Sequence, residues 1–189
     1  MSSHFPTDYA SILERIDVID PVKYGSTRNY LNGAVTQLSP YISRGMISTR
    51  FVLKKLKEKG YRYDQMETLI KELCWRDYFQ CVAQVKNPDH DLKQEQKRVA
   101  HHEIPISIKE NRTGIKAIDN AISELYETGY MHNHSRMYTA FLTCNLAQSH
   151  WLTPAKWMYY HLLDGDWASN AGSWQWVAGA NSSKKYYAN

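Results

Sequence analysis

The run TGIKAIDNAISELYETG at 113–129 constrains the fold more than any other stretch of the chain. Ile115, Ile118, Ile122 and Leu125 recur at the 3.6-residue period of an α-helix, and Gly129 is a natural terminator. Other stretches read the same way. Ser48 is an N-cap candidate before FVLKKLKEK, and Gly60 closes that helix. A second begins near Asp64, with Glu67 as its capping-box partner, and carries Met66, Leu69, Ile70, Leu73 and Phe79 before ending by Asn87-Pro88. A further helix fits Ser135 to about His150, and Pro154 opens PAKWMYYHLLDG. No segment alternates with period two between turns, so the expected fold class is all-α. Residues 89–112 read as a charged, irregular connection, and the Pro- and Gly-punctuated opening of the chain, residues 1–30, carries no clear assignment.

Composition bounds the function. A chain of 189 residues that is 43% hydrophobic is long enough for one domain with a core, taken here as a single helical domain over 1–189. No long polar low-complexity tract is present, which argues against extensive disorder. Net charge is +4, a mild bias compatible with an anionic partner such as nucleic acid. Cys74, Cys81 and Cys144 are odd in number and form no C-x-x-C, which argues against a disulfide framework and for a reducing cytoplasm. The N-terminal residues lack a basic stretch followed by an apolar run, so neither a signal peptide nor a membrane span is expected.

Four clusters could carry chemistry. In KELCWRDYF at 71–79, Glu72, Trp75, Arg76 and Phe79 share one helix face. A surface ion pair beside a packed indole would give that pattern, and so would a pocket wall that stacks an aromatic ligand and binds an anion. Thr36 and Ser39 precede a short helix with Pro40 at its first position, either a plain cap or a phosphate site. In YMHNHSRMYTAF at 130–141, His132 and His134 lack the spacing of a helical metal pair, so a polar lining for a cofactor is favoured over a metal site. In LLDGDWASNAGSWQWVAG at 162–179, two aspartates flank Gly165 without the oxygen spacing of a calcium loop, and Trp174 and Trp176 follow, either packed or beside a ligand.

Taken in order, these motifs resemble the FAD-binding domain of the photolyase and cryptochrome family: LSPY, then K-E-L-x-W-R-x-Y, then R-T-G-x-x-x-I-D with G-x-M-H-N, then R-M, then L-L-D-G-D-x-x-x-N-x-G-x-W-Q-W. The resemblance spans about 24 to 179. It implies FAD as cofactor, with Tyr24, Thr36, Leu38 and Ser39 toward its phosphates and neighbouring groups and Arg76 in the flavin pocket. It implies Asn133 on the cofactor side, Arg136 and Asp164 as an ion pair beside the isoalloxazine ring, Asp166 as a cofactor-binding acid and Asn170 facing flavin N5. Glu72, Trp75 and Met137 match lesion-side residues, and Trp174 and Trp151 match the proximal and middle members of a tryptophan electron relay.

The resemblance also sorts subfamilies. Asn133 and Met137 stand where relatives acting on (6-4) photoproducts carry a histidine pair, which points to the cyclobutane-dimer class. Asn170 is the photolyase choice where plant-type cryptochromes place Asp. Two positions depart from the pattern: His134 replaces the Arg after H-N, and Ile108 stands at the distal relay position, implying a shorter or rerouted chain. The family's N-terminal α/β antenna domain is not matched, and relatives continue with further helices beyond SSKKYYAN. The implied activity is light-driven repair of cyclobutane pyrimidine dimers in damaged DNA, that of a deoxyribodipyrimidine photo-lyase. The alternatives are a cryptochrome-like photoreceptor or redox module without repair, and a single-strand nucleic-acid binder without flavin.

Overall fold

The computed structural model describes residues 5–188. It is 58% helical with no strands among those residues, in agreement with the all-α expectation. Two compact units divide the chain, residues 1–77 and 78–189. None of the described helices is long and apolar enough to cross a membrane.

In the first unit, α1 (Tyr9–Asp17) starts at Asp8, whose side chain accepts from the Ser11 N–H at 2.9 Å. Its Ile12 and Ile16 are wholly buried, four residues apart on one face, and α1 packs on α4 (Thr49–Glu58) through Val52 and Leu56, spaced the same way. Between them, α2 (Pro21–Thr27) is capped by Asp20 with proline at its first position, and α3 (Ser39–Ser43) is one short turn. Residues 8–28 are therefore ordered into two helices by short-range caps. Ser48 caps α4 through the Phe51 N–H at 3.0 Å, as its position predicts. The long α5 (Tyr63–Val85) follows.

In the second unit, α7 (Lys116–Thr128), α8 (Asn133–Phe141), α9 (Leu152–His161) and α10 (Trp167–Ala178) enclose a core that includes Ile118, Ile122, Leu125, Met131, Trp151 and Trp174. Gly129 ends α7 at φ 72°, a left-handed conformation that costs glycine little. The N-terminus of α7 falls at Lys116 rather than Thr113, because the Asp119 carboxylate accepts from the Thr113 and Gly114 N–H groups ahead of the helix. The helix expected from Ser135 to about His150 instead gives way after Phe141 to a π-helical turn, Leu142–Leu146. The Ala147 N–H reaches the Leu142 carbonyl, and Gln148 at φ 59° turns the chain out.

Residues 89–112 include one helical turn, α6 (Ile106–Lys109), and are otherwise irregular. They are nonetheless fastened. The Leu92 N–H donates to buried Gln175 Oε1 at 2.8 Å, and the Lys93 and Gln94 N–H groups donate to the Ala180 carbonyl at 3.1 Å. Buried Gln96 spans the Ser149 carbonyl and the Trp151 N–H at 2.9 Å each. Buried side-chain amides thus satisfy backbone groups that no regular ladder serves.

On α10, Gly172 lies against the Phe79 ring so closely that an added Cβ would fall within it. In an open helix Gly→Ala is stabilising; here the sign reverses. Gly172→Ala is expected to lower unfolding free energy by about 1–3 kcal/mol in urea titration, with Phe79→Leu restoring part of the loss. A Gly172→Ala protein as stable as the parent contradicts this packing.

Candidate functional site

The first unit gathers the residues expected to meet FAD phosphates around the loop that joins α2 to α3. Gln37 sits in that loop at φ 51°, a conformation costing on the order of 1 kcal/mol outside glycine. The Arg15 guanidinium donates to Gln37 Oε1 at 2.9 Å and lies over the rings of Phe5 and Tyr41. This clamp turns the chain between Thr36 and Leu38. Tyr24 and Thr36 line a cavity of about 690 Å³, with Arg15, Lys23 and Asp20 also on its wall. Leu38 is buried under α3, and Ser39 begins that helix. Tyr41 Oη is buried without a hydrogen-bond partner, and burial pushes its pKa up.

On α5, Glu72 accepts from Arg28 Nη2 at 3.0 Å, and Arg76 Nη2 donates to Ser43 Oγ at 3.0 Å. Trp75 between them is 54% exposed, which removes core packing as its role. Phe79, by contrast, is buried against Gly172.

In the second unit, α8 and the LDGD turn between α9 and α10 hold the flavin-side candidates. Arg136 Nη2 reaches both oxygens of Asp164, at 3.0 and 2.9 Å, and its Nε donates to the Met131 carbonyl at 2.8 Å. The Asp164 side chain is 5% exposed. Asp166 caps α10 through the Ser169 N–H at 3.0 Å and accepts from Gln80 Nε2 at 2.6 Å. Asn170 donates to the Ala155 carbonyl at 2.8 Å. Asn133 and Met137 touch each other, Nδ2 to Sδ at 3.9 Å. Trp151 and Trp174 are both buried in the core cluster, which Ile108 also joins, so the expected distal relay position holds a packed aliphatic side chain. His134 packs its ring against Tyr138 at 4.5 Å.

Some participants were not singled out from sequence. Arg28 follows Tyr24 by four residues, a helical spacing that could have flagged it. Arg15 and Gln37 are 22 positions apart and left no comparable signal. His132 caps α8 through the His134 N–H at 3.1 Å, while its Nε2 is buried without a partner.

Comparison with known proteins decides the family. Residues 69–189 match the family model described as the FAD binding domain of DNA photolyase. The chain belongs to the photolyase and cryptochrome family. Among curated relatives, it is 34% identical over 167 residues to a cryptochrome DASH of Danio rerio, covering 82% of this chain and 32% of that protein. It is 32% identical over 149 residues to a deoxyribodipyrimidine photo-lyase of Alkalihalophilus pseudofirmus, covering 76% and 31%. The crystal structure of a Synechocystis sp. cryptochrome superposes with a TM-score of 0.85 at 28% identity, over 98% of this chain and 41% of that one. The chain thus spans about a third of the length of these curated relatives.

FAD is the cofactor of this domain, and the residues present fit it. A diphosphate needs cations and hydroxyls, which Arg15, Lys23, Tyr24 and Thr36 supply in a cavity that Glu14 and Asp20 also line. A flavin needs directed polar contacts, and His132 Nε2 and Ser169 Oγ are buried polar atoms without protein partners beside Asn133 and Asn170.

Burial holds the His132 pKa below its ordinary value of 6.5, with His134 and Arg136 adding to the effect. An unfolded His132 takes its proton near 6.5, whereas the folded one resists to lower pH. Within that window the unfolded chain binds more protons, so stability falls as pH drops through it. His150 and His161 are lowered by burial in the same sense. His132→Gln is expected to flatten the acid limb of a urea-unfolding series taken at stepped pH; an identical acid limb contradicts the assignment.

Proposed function

We propose that this chain carries out light-driven repair of cyclobutane pyrimidine dimers in DNA with reduced FAD, as a deoxyribodipyrimidine photo-lyase. The observation that carries the reading is the α5 arrangement: a half-exposed indole, Trp75, beside a carboxylate, Glu72, held in place by Arg28. An exposed aromatic face is suited to stacking on an unpaired base, and a fixed carboxylate to accepting a hydrogen bond from a pyrimidine.

When bound, reduced FAD supplies the electron that opens the cyclobutane ring on absorbing light. The side chains of the protein bind and orient. Tyr24, Thr36, Leu38 and Ser39 hold the phosphate end, and Lys23 and Arg15 offset its charge. The family resemblance assigns Arg76, Asn133 and Asp166 to holding the cofactor. Arg136 brings a cation beside the ring, and Asp164 moderates that charge, so an anionic ring is stabilised without excess. Asn170, whose amide is tethered by the Ala155 carbonyl, would present a fixed polar group to the flavin ring. The family resemblance gives Met137, like Trp75 and Glu72, a lesion-side role. Trp174 and Trp151, buried in one core cluster, would serve as the electron donors to an oxidised cofactor. Surface cations grip the DNA backbone, so binding weakens with salt. The three cysteines are unpaired, as suits a reducing cytoplasm.

A second reading, a cryptochrome-like photoreceptor without repair, is favoured by the relatives named as cryptochromes. The two separate on one assay. The FAD-loaded, reduced protein is illuminated with an oligonucleotide bearing a thymine dimer, and restored thymine is measured. Repair supports the enzyme; none, with reduced FAD demonstrably bound, moves the assignment to the photoreceptor. Trp75→Ala is expected to weaken lesion binding by about 1–3 kcal/mol, read by fluorescence anisotropy. Unchanged affinity would remove Trp75 from the site.

A further inference from the structure

Trp151 is wholly buried, yet its indole N–H is not idle: Nε1 donates to Asp91 Oδ1 at 2.6 Å. The carboxylate is aimed. Its Oδ2 accepts from the Gln96 N–H at 2.9 Å, and Gln96 Oε1 in turn accepts from the Trp151 N–H of the backbone at 2.9 Å. One buried residue, Gln96, therefore holds both members of the pair, Asp91 through its backbone N–H and Trp151 through its side-chain oxygen. The Asp91 side chain is 20% exposed, so it touches the core indole at one end and water at the other. His150 lies beside it, Nε2 at 4.0 Å, and stacks on exposed His102 at 4.9 Å between ring centres. Its Nδ1 accepts from the Leu152 N–H at 3.3 Å, which places the proton of the neutral ring on Nε2, facing Asp91.

A second indole–carboxylate pair shows what is particular here. Trp167 Nε1 donates to Asp89 at 2.7 Å, but Asp89 is also ion-paired to Lys156 at 2.7 Å, which holds its pKa down and makes it a poor base. Asp91 forms no Lys or Arg ion pair among the described residues. Its Oδ1 takes the short bond from the Trp151 indole, and its Oδ2 is held by the Gln96 N–H.

We propose that Asp91 is the proton acceptor of Trp151, so that oxidation of this indole ends in a deprotonated, neutral radical and the electron relay stops there. The proposal rests on the relay role assigned to Trp174 and Trp151 above. The oxidant is the light-excited, oxidised flavin, reached through Trp174. One electron leaves the Trp151 indole; the weakened N–H bond breaks; its proton passes along the existing hydrogen bond to Asp91 Oδ1, leaving a neutral indolyl radical and a carboxylic acid that exchanges with water. Such a transfer needs donor and acceptor within about 2.6–3.2 Å, the distance already present. It also accounts for Ile108. With an aliphatic side chain at the expected outer position, a charged hole on Trp151 has no tryptophan there to pass to, and loss of the proton holds the radical on Trp151.

The test is flash photolysis of the FAD-loaded chain, because neutral and cationic indole radicals absorb at different visible wavelengths. The parent protein is expected to give the neutral radical. Asp91→Asn keeps an oxygen facing the indole but cannot take the proton, so a cationic radical decaying about a hundredfold faster is expected. Asp91→Glu restores the neutral species, a rescue that a purely structural role would not produce. Trp151→Phe removes the signal and identifies its source. A neutral radical of unchanged lifetime in Asp91→Asn, with FAD bound as in the parent, overturns the role of Asp91 alone. The absence of any tryptophan radical in the illuminated parent overturns the relay itself.

Discussion

The ion pair between Arg136 and Asp164 is the constraint on which the geometry of the second unit's candidate residues depends. It joins α8 to the turn between α9 and α10, and Arg136 also holds the Met131 carbonyl at the approach to α8. Asn133 and Met137 lie on the same helix as Arg136, and Asp166 and Asn170 follow directly from the turn that Asp164 anchors. A pair this buried contributes little net stability, since desolvation offsets the attraction, but breaking it would leave a charge without its counter-ion. Its value lies in geometry: a cation presented in a fixed place before any cofactor arrives.

The same economy governs the irregular segment 89–112. Gln96 and Gln175 are buried amides that serve backbone groups of a chain without a ladder of its own. They fasten it to the Trp151 region and to α10, and in doing so bring Asp91 to the Trp151 indole. Order here comes from side-chain amides rather than from secondary structure, so a stretch that looks like a passive linker delivers a functional group.

Much of this was legible in the sequence because it depends on neighbours. Ser48 and Gly60 bound α4, Gly129 ends α7, and the stripe Ile118, Ile122, Leu125 faces the core, all effects carried within a few residues. The signals for α1 and α2 were equally local, Asp8 before Ile12 and Ile16, and Asp20 before Pro21, but the proline and glycine around them obscured the reading. The motifs gave the family directly, and the cofactor with it. What stayed hidden depends on distance along the chain. Asp91 and Trp151 are 60 residues apart, Arg15 and Gln37 are 22 apart, and no periodicity links either pair. The π-helical turn after Phe141 escaped for a related reason, since its widened bonds are closed by Ala147 and Ser149 rather than by any breaker residue within the helix.

The central claim is that this chain by itself presents the groups that hold a flavin dinucleotide. It is tested most directly by incubating the purified chain with FAD, removing free flavin by gel filtration, and comparing flavin absorbance with protein concentration. The account predicts a yellow protein retaining one FAD per chain, with resolved vibrational structure in the flavin band as the ring leaves water. A colourless protein that passes through the column without flavin would contradict it.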